Sequence, residues 1–182
     1  MSDMASDLPP GTPGDQDPPA GDQPPVPPLQ FLGQFIKDLS FEAPLAPDIF
    51  NVMRQSGPEM NITIDANVRQ IEGPTFEVTL AISLAAKVGD KTAFIMELLY
   101  GCVAQVNPQV VPEEYVHSLL LIEVPRHLFP FVRQIVSETT GAAGFPPLMM
   151  QMVDFAELYR RKFQPQEDGA PGEAPPIAPP VH

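Results

Sequence analysis

The stretch SFEAPLAPDIF, Ser40–Phe50, decides how this chain is read. Its first residues continue an alternating apolar pattern, and Pro44 and Pro47 then end it. Each proline fixes its own φ, removes a backbone donor and pushes the residue before it, Ala43 or Ala46, toward extended geometry. The stretch therefore predicts a strand running into a loop, with no helix across it. Aromatic residues, Phe41 and Phe50, stand near its two ends.

On both sides of this loop the pattern has period two, from Gln34 to Val106, which marks strands with one buried face. The clearest strand carries Phe76, Val78, Leu80, Ile82 and Leu84 in alternation with Glu77, Thr79, Ala81, Ser83 and Ala85. Just before it, Met60, Ile62, Ile64, Ala66 and Val68 alternate with Asn61, Thr63, Asp65, Asn67 and Arg69. EGP and VGDK are the turns. Turns this short demand antiparallel pairing of sequential strands, because a parallel crossover takes a dozen residues or more.

After Pro108 the period changes. Pro112 at a first helical position, followed by Glu113 and Glu114, is a helix start: the proline is preset for the first turn and the carboxylates face the positive end of the dipole. Pro125 and Pro130 predict a break or kink near Glu123–Arg126 and a second helical stretch through Val136. Gly141 and Gly144 open a loop, GAAGFPPLMMQM. Asp154 then caps a short helix ending near Phe163, with Glu157 completing a capping box. The expected fold is α+β: a four-stranded antiparallel, meander-like sheet with a long, proline-interrupted helix and a short C-terminal helix on one face.

The tails differ in kind from this core. Fifteen of the 25 prolines lie before residue 31 or after residue 163. The same segments contain Asp3, Asp7, Asp15, Asp17, Asp22, Glu167, Asp168 and Glu173 and no Lys or Arg, so much of the net charge of −13 sits there. Residues 1–30 and 164–182 read as disordered acidic, proline-rich tails around a domain at residues 31–163. The acidic balance argues against nucleic acid, which needs clustered bases. The one basic cluster, Arg160-Arg161-Lys162, ends a helix where cations suit the dipole.

Catalytic chemistry finds no footing. His117 and His127 lack partner motifs, and neither a metal-spaced Cys/His set nor a phosphate-binding glycine loop occurs. No catalytic residue, metal or cofactor is assigned. Cys102, in phase with Phe94, Met96, Leu98 and Tyr100, reads as a small buried hydrophobe, and a lone cysteine fits a reducing compartment. The N-terminal residues do not form a secretory signal, and no stretch approaches the ~18 apolar residues of a membrane span. The expectation is a cytoplasmic protein with no direct membrane insertion.

Apolar surface, by contrast, is in excess. The strand Lys91–Gln105 carries Phe94, Met96, Leu98 and Tyr100 on one face, while its other face still has Ile95, Leu99 and Val103 around Glu97. That excess implies oligomerisation or ligand binding. The segment Phe145, Leu148, Met149, Met150 and Met152 adds adaptable groups that either serve varied apolar partners or fill irregular core gaps.

SFEAPLAPDIF, followed by TAFIMELLYG (Thr92–Gly101), HLFPFVRQIVSETTGAAGFPPL (His127–Leu148) and VDFAELY (Val153–Tyr159), resembles the signature of the SecB export chaperones in order and near-family spacing. Together these segments cover most of residues 34–163. The resemblance implies an ATP-independent holdase, a homotetramer built as a dimer of dimers through the long helices. Such a protein keeps unfolded secretory precursors translocation-competent and delivers them to the SecA ATPase. It implies a client groove at Met60, Ile62, Ile64, Phe145, Leu148, Met149 and Met150, and an acidic SecA-docking surface at Asp38, Glu42, Ile95 and Glu97. Strand parity points the same way for the second set: Asp38 and Glu42 share a face with Ser40, opposite Lys37, Leu39 and Phe41, and Glu97 lies opposite the Phe94 row. Tyr100-Gly101-Cys102 departs from the family pattern and leaves the strand-end register open. The alternative is a peptide-binding adaptor or oligomeric scaffold uncoupled from export.

Overall fold

The structure, a computed structural model, describes residues 26–163; the expected tail at 164–182 and residues 1–25 of the expected tail at 1–30 lie outside them. The elements run β1 (Leu29–Glu42), α1 (Ile49–Met53), β2 (Glu59–Glu72), β3 (Thr75–Val88), β4 (Lys91–Val106), α2 (Glu113–Ala142) and α3 (Phe155–Phe163). The strands form one antiparallel sheet in the order β1-β4-β3-β2. Strands β2, β3 and β4 are the expected meander, joined at the two turns read from sequence, where Gly73 and Gly89 take φ of 51° and 57°. That left-handed geometry suits glycine because it has no Cβ to clash. β1 does not continue the meander: it returns beside β4, its 14 residues beginning at Leu29, inside the segment read as tail.

Even-numbered residues of β2, β3 and β4 face the helices. Val78, Leu80, Ile82 and Leu84 of β3 and Met96, Leu98, Cys102 and Ala104 of β4 are buried in one core with Leu120, Val124, Leu128, Val132 and Val136 of α2. Burial pushes the Cys102 thiol up to about 11, so it packs as a hydrophobe and carries no thiolate at neutral pH. The open register is resolved by Phe35, which pairs with Gly101 and lays its ring over it. A Cβ at Gly101 would lie 2.6 Å from that ring. The neighbouring Tyr100 hydroxyl donates to Gln34 Oε1 at 3.3 Å.

Three expectations about the helices are corrected. First, α1 begins at Ile49, inside the stretch read as helix-free, because both prolines precede it and neither removes a donor the helix needs. Second, α2 is one 30-residue helix with Pro125 and Pro130 inside it, continuing past Val136 and Gly141 to Ala142. Each proline costs about 3 kcal/mol in a helix interior, while each fully buried Leu, Val or Phe on its inner face contributes about 1.5–3 kcal/mol; packing on the sheet outweighs the lost bonds. Pro112 is its N-cap and Glu113 its first residue. Third, Asp154 caps α3, its Oδ1 accepting from the Ala156 and Glu157 amides at 3.0 Å each. The Glu157 amide above all holds the Asp154 carboxyl below its usual range. The reciprocal half of the capping box is not made: the Glu157 carboxylate pairs with Arg160 at 2.7 Å and Arg161 at 3.0 Å.

Bulges in β1 after Phe31 and after Ile36 reset its alternation. The second puts Lys37 on the outer face of the sheet, contrary to the simple parity reading, since a bulge residue has no cross-strand partner to fix its side. Lys37 Nζ there bonds Glu77 Oε1 at 2.7 Å, and Arg69 Nε bonds Glu77 Oε2 at 3.0 Å. Glu77 is only 6% exposed. The hydrogen bond from Lys37, then that from Arg69, lowers its pKa against the opposing effect of burial. Stability from a depressed carboxylate is complete above its ordinary pKa and is lost as pH falls through the lowered value. Glu77→Gln is therefore expected to cost about 1–2 kcal/mol at pH 7, limited by the exposure of Lys37 and Arg69. In urea titrations the gap to the parent should close toward the acid end; a gap independent of pH would show that packing alone is at stake.

Candidate functional site: two faces of one sheet

The apolar site grows from the loop that opened the sequence reading. Phe41 at the end of β1 and Phe50 in α1 converge on Phe145, which comes just after α2, at ring-centroid distances of 6.0 and 5.0 Å. Phe94 of β4 completes the cluster, 4.9 Å from Phe145 and 5.3 Å from Phe41. Gly144, with φ 86°, turns the chain out of α2, and a Cβ there would stand 3.5 Å from the Phe50 ring. Thr140 anchors the segment beyond this turn. Its buried hydroxyl donates to Val136 O at 2.8 Å and accepts from the Leu148 amide at 3.0 Å, holding the loop against the helix.

The seven residues expected to line a groove separate into three groups. Phe145 and Met150 are buried, at 3% and 2% exposure, as core or floor. Met60 packs into the phenylalanine cluster, while Ile64 and Leu148 pack half-buried against the main core. Ile62 and Met149 remain exposed, at 39% and 57%. The question of whether the loop methionines pack or face outward thus has a split answer: Met150 fills core and Met149 faces out, its sulfur accepting from the Ser137 hydroxyl at 3.4 Å. Sequence reasoning missed Phe41, Phe50 and Phe94 as members of the site. The signal was present in the aromatics flanking the double-proline loop, but their convergence depends on α1 and on Phe145 a hundred residues away. Leu45 and Met152 are exposed as well.

The acidic set occupies the opposite side of the sheet. Across β1 and β4 the register pairs Glu42 with Ile95, Ser40 with Glu97 and Asp38 with Leu99. Directly opposed residues share a face, so Asp38, Glu42, Ile95 and Glu97 all lie on the outer, helix-free side, and all four are exposed. Asp38 and Glu97 border a shallow depression of about 230 Å³, with Thr63, Asp65, Ser83 and Leu99. Asp38, Glu42 and Glu97 make no ion pair with any described residue, whereas Glu77, Asp65 and Glu157 do. Their charge is available to a basic partner.

The long helix spends most of its large apolar residues on the chain's own core. Of Leu119, Leu120, Phe129, Phe131 and Val132, the chain's own core buries Leu120, Phe129 and Val132; Phe131 stays 43% exposed and Leu119 half-buried, joined by Tyr115 at 58%. His127 stacks on Phe31 at 4.1 Å and His117 Nδ1 lies 3.1 Å from the Tyr159 hydroxyl. Among the described residues no group of three or more His, Cys, Asp or Glu is placed to hold a metal ion, and no helix is long and apolar enough to cross a membrane.

Comparison with known proteins agrees with this geometry. The family model described as "Preprotein translocase subunit SecB" matches residues 22–166. A protein-export protein SecB of Paramagnetospirillum magneticum is 46% identical over 137 residues, 75% of this chain and 86% of that protein. One from Rhodospirillum rubrum is 44% identical over 146 residues, 80% of this chain and 89% of that protein. Among solved structures, a SecB-like chaperone of Mycobacterium tuberculosis in complex with an antitoxin peptide superposes with a TM-score of 0.59 at 16% identity, over 69% of this chain and 90% of that one. That likeness concerns the fold.

Proposed function

The chain belongs to the SecB family of protein-export chaperones, and from that premise we propose that it is an ATP-independent holdase of the cytoplasm. In this reading it binds unfolded secretory precursors and passes them to SecA. The observation that carries the proposal is the two-sided sheet: an apolar rim with a phenylalanine cluster and exposed Ile62 and Met149 on the helix-bearing side, and carboxylates without an ion pair among the described residues on the other. A client and an export motor engage different faces and so do not exclude one another. Extended segments bind by apolar contact at the rim and by backbone pairing. Single sites of this kind are weak, and several sites on one assembly supply the rest through effective concentration.

Assembly is part of the proposal. β1 is an edge strand of 14 residues with Leu32, Ile36 and Leu39 at 51%, 48% and 40% exposure, and a long apolar edge is a template for another strand. Pairing two copies along β1 gives a dimer. Tyr115, Leu119 and Phe131 on α2 then serve the contact between dimers, giving the homotetramer. Native mass spectrometry with and without a reduced, unfolded client tests both claims together. The expected result is a mass of four chains that shifts upward by one client; a single-chain mass at micromolar concentration rejects the assembly, and a tetramer that binds no client rejects the holdase. A tetramer that holds clients but ignores SecA supports instead the adaptor reading.

A further inference from the structure

At the end of the sheet remote from Phe145 lies a second apolar feature that the proposed client groove does not use: a cavity of about 570 Å³. Val68, Pro74 and Phe76 at the β2–β3 hairpin and Val116 and Leu120 of α2 give it apolar walls, and Gln70, Glu113 and His117 also line it. Val68 is eight residues along β2 from Met60, about 26 Å away. A volume of this size suits a few apolar side chains.

The course of the chain indicates an occupant. α3 ends at Phe163, whose ring meets His117 edge-on at 4.8 Å, so the chain leaves the described residues beside the cavity border. The next ten residues include Glu167, Asp168 and Glu173; after them residues 174–181 read APPIAPPV, without a single charge or polar side chain. We propose that this proline-rich end of the chain seats in the cavity between the β2–β3 hairpin and the start of α2, with Ile177 as its anchor.

Three physical arguments favour it over a client or the N-terminal extension. The segment can be buried without desolvating a charge of its own, whereas before residue 24 the N-terminal prolines lie among Asp7, Asp15, Asp17 and Asp22, and the charge-free run from Pro24 continues into the described Val26–Leu29, which leaves it little slack. Its four prolines lack amide donors and bias it to polyproline II, so burial leaves fewer donors unmet and costs less chain entropy. The tether is long enough: fourteen residues separate Phe163 from Ile177, up to about 43 Å in polyproline II, and tethering supplies a millimolar effective concentration that makes a weak fit sufficient. The docking does not rest on the holdase reading proposed above.

The test uses the full chain without client, so its failure is separate from any failure of the holdase reading. Ala178→Cys accepts a nitroxide selectively, because Cys102 is fully buried and its thiol is raised to about 11. In the methyl-labelled chain the expected result is loss of the Val68, Val116 and Leu120 signals, with Ile62 and Ile64 retained; adding Ile177→Asp, which lies outside the folded core, should restore them. No loss, equal loss over the whole surface, or loss at Ile62 and Ile64 instead would overturn the proposal and leave the cavity to the N-terminal segment, a second copy or a client.

Discussion

Phe145→Ala is expected to destabilise the chain by about 3–5 kcal/mol, the range for truncating a buried phenylalanine to alanine. Phe145 is 3% exposed and is the one ring that touches the other three phenylalanines of its cluster. Aromatic contacts of this geometry add about 0.5–1.5 kcal/mol beyond burial alone. Three of the four rings sit on segments flanking loops, so the space left behind can collapse only by moving residues 43–58 or 143–154. Urea denaturation measures the loss, with Phe131→Ala as the control. Phe131 is 43% exposed, and its truncation in the unassembled chain should cost under about 1 kcal/mol. Equal costs for the two would mean that the cluster contributes no more than surface packing. Where Phe145→Ala remains folded, weaker holding of an unfolded client is the second expected result, since the exposed rim rests on this floor.

Reversing the outer acidic face is expected to have the largest effect on partner binding. Glu97→Lys, or Asp38→Lys with Glu42→Lys, should weaken SecA binding on the order of tenfold or more at low salt, through lost steering and a new like-charge contact. The loss should shrink as added salt screens interactions over roughly 8–10 Å. These side chains are exposed and lie on the helix-free face, so the substitutions open no cavity, and assembly and client holding should persist. Calorimetry at two ionic strengths reads the effect. Unchanged affinity would remove the residues from the docking surface and favour an adaptor, whereas loss accompanied by dissociation would show that this face supports the assembly.

The range of each interaction explains why some features were legible in sequence and others were hidden. Alternation along residues 60–68 and 76–85 placed two strands and their buried faces, because parity is a local property once one face is buried. The outer location of Asp38, Glu42 and Glu97 was legible for the same reason. Lys37 was misplaced because a bulge at that point is set by pairing with β4, which single-strand parity does not encode. The unbroken course of α2 through Pro125 and Pro130 was hidden because local propensity records the cost of the prolines, while the compensation comes from β3 and β4. For the candidate groove, Ile62 and Met149 were named from pattern and resemblance, while the convergence of Phe41, Phe50 and Phe94 on Phe145 depends on how the double-proline loop folds back and was not legible.

The far edge of the sheet bears on how large an assembly can grow. β2 is the strand opposite β1, and at Ala66 both of its outward backbone groups are already engaged. The Ala66 amide donates to Asp65 Oδ1 at 2.9 Å, and its carbonyl accepts from Lys162 Nζ at 3.1 Å; the same ammonium lies 2.6 Å from Asp65 Oδ1 and 3.2 Å from Asn67 Oδ1. A strand arriving on that side would have to displace an ion pair and leave a charge facing its backbone. Two copies joined along β1 about a twofold axis use up both open edges, and the outer borders of the resulting double sheet are the two plugged β2 strands. If copies pair along β1 as proposed, further strand addition meets Lys162, contributed by the last turn of α3, at each outer border, which works against an open-ended fibre.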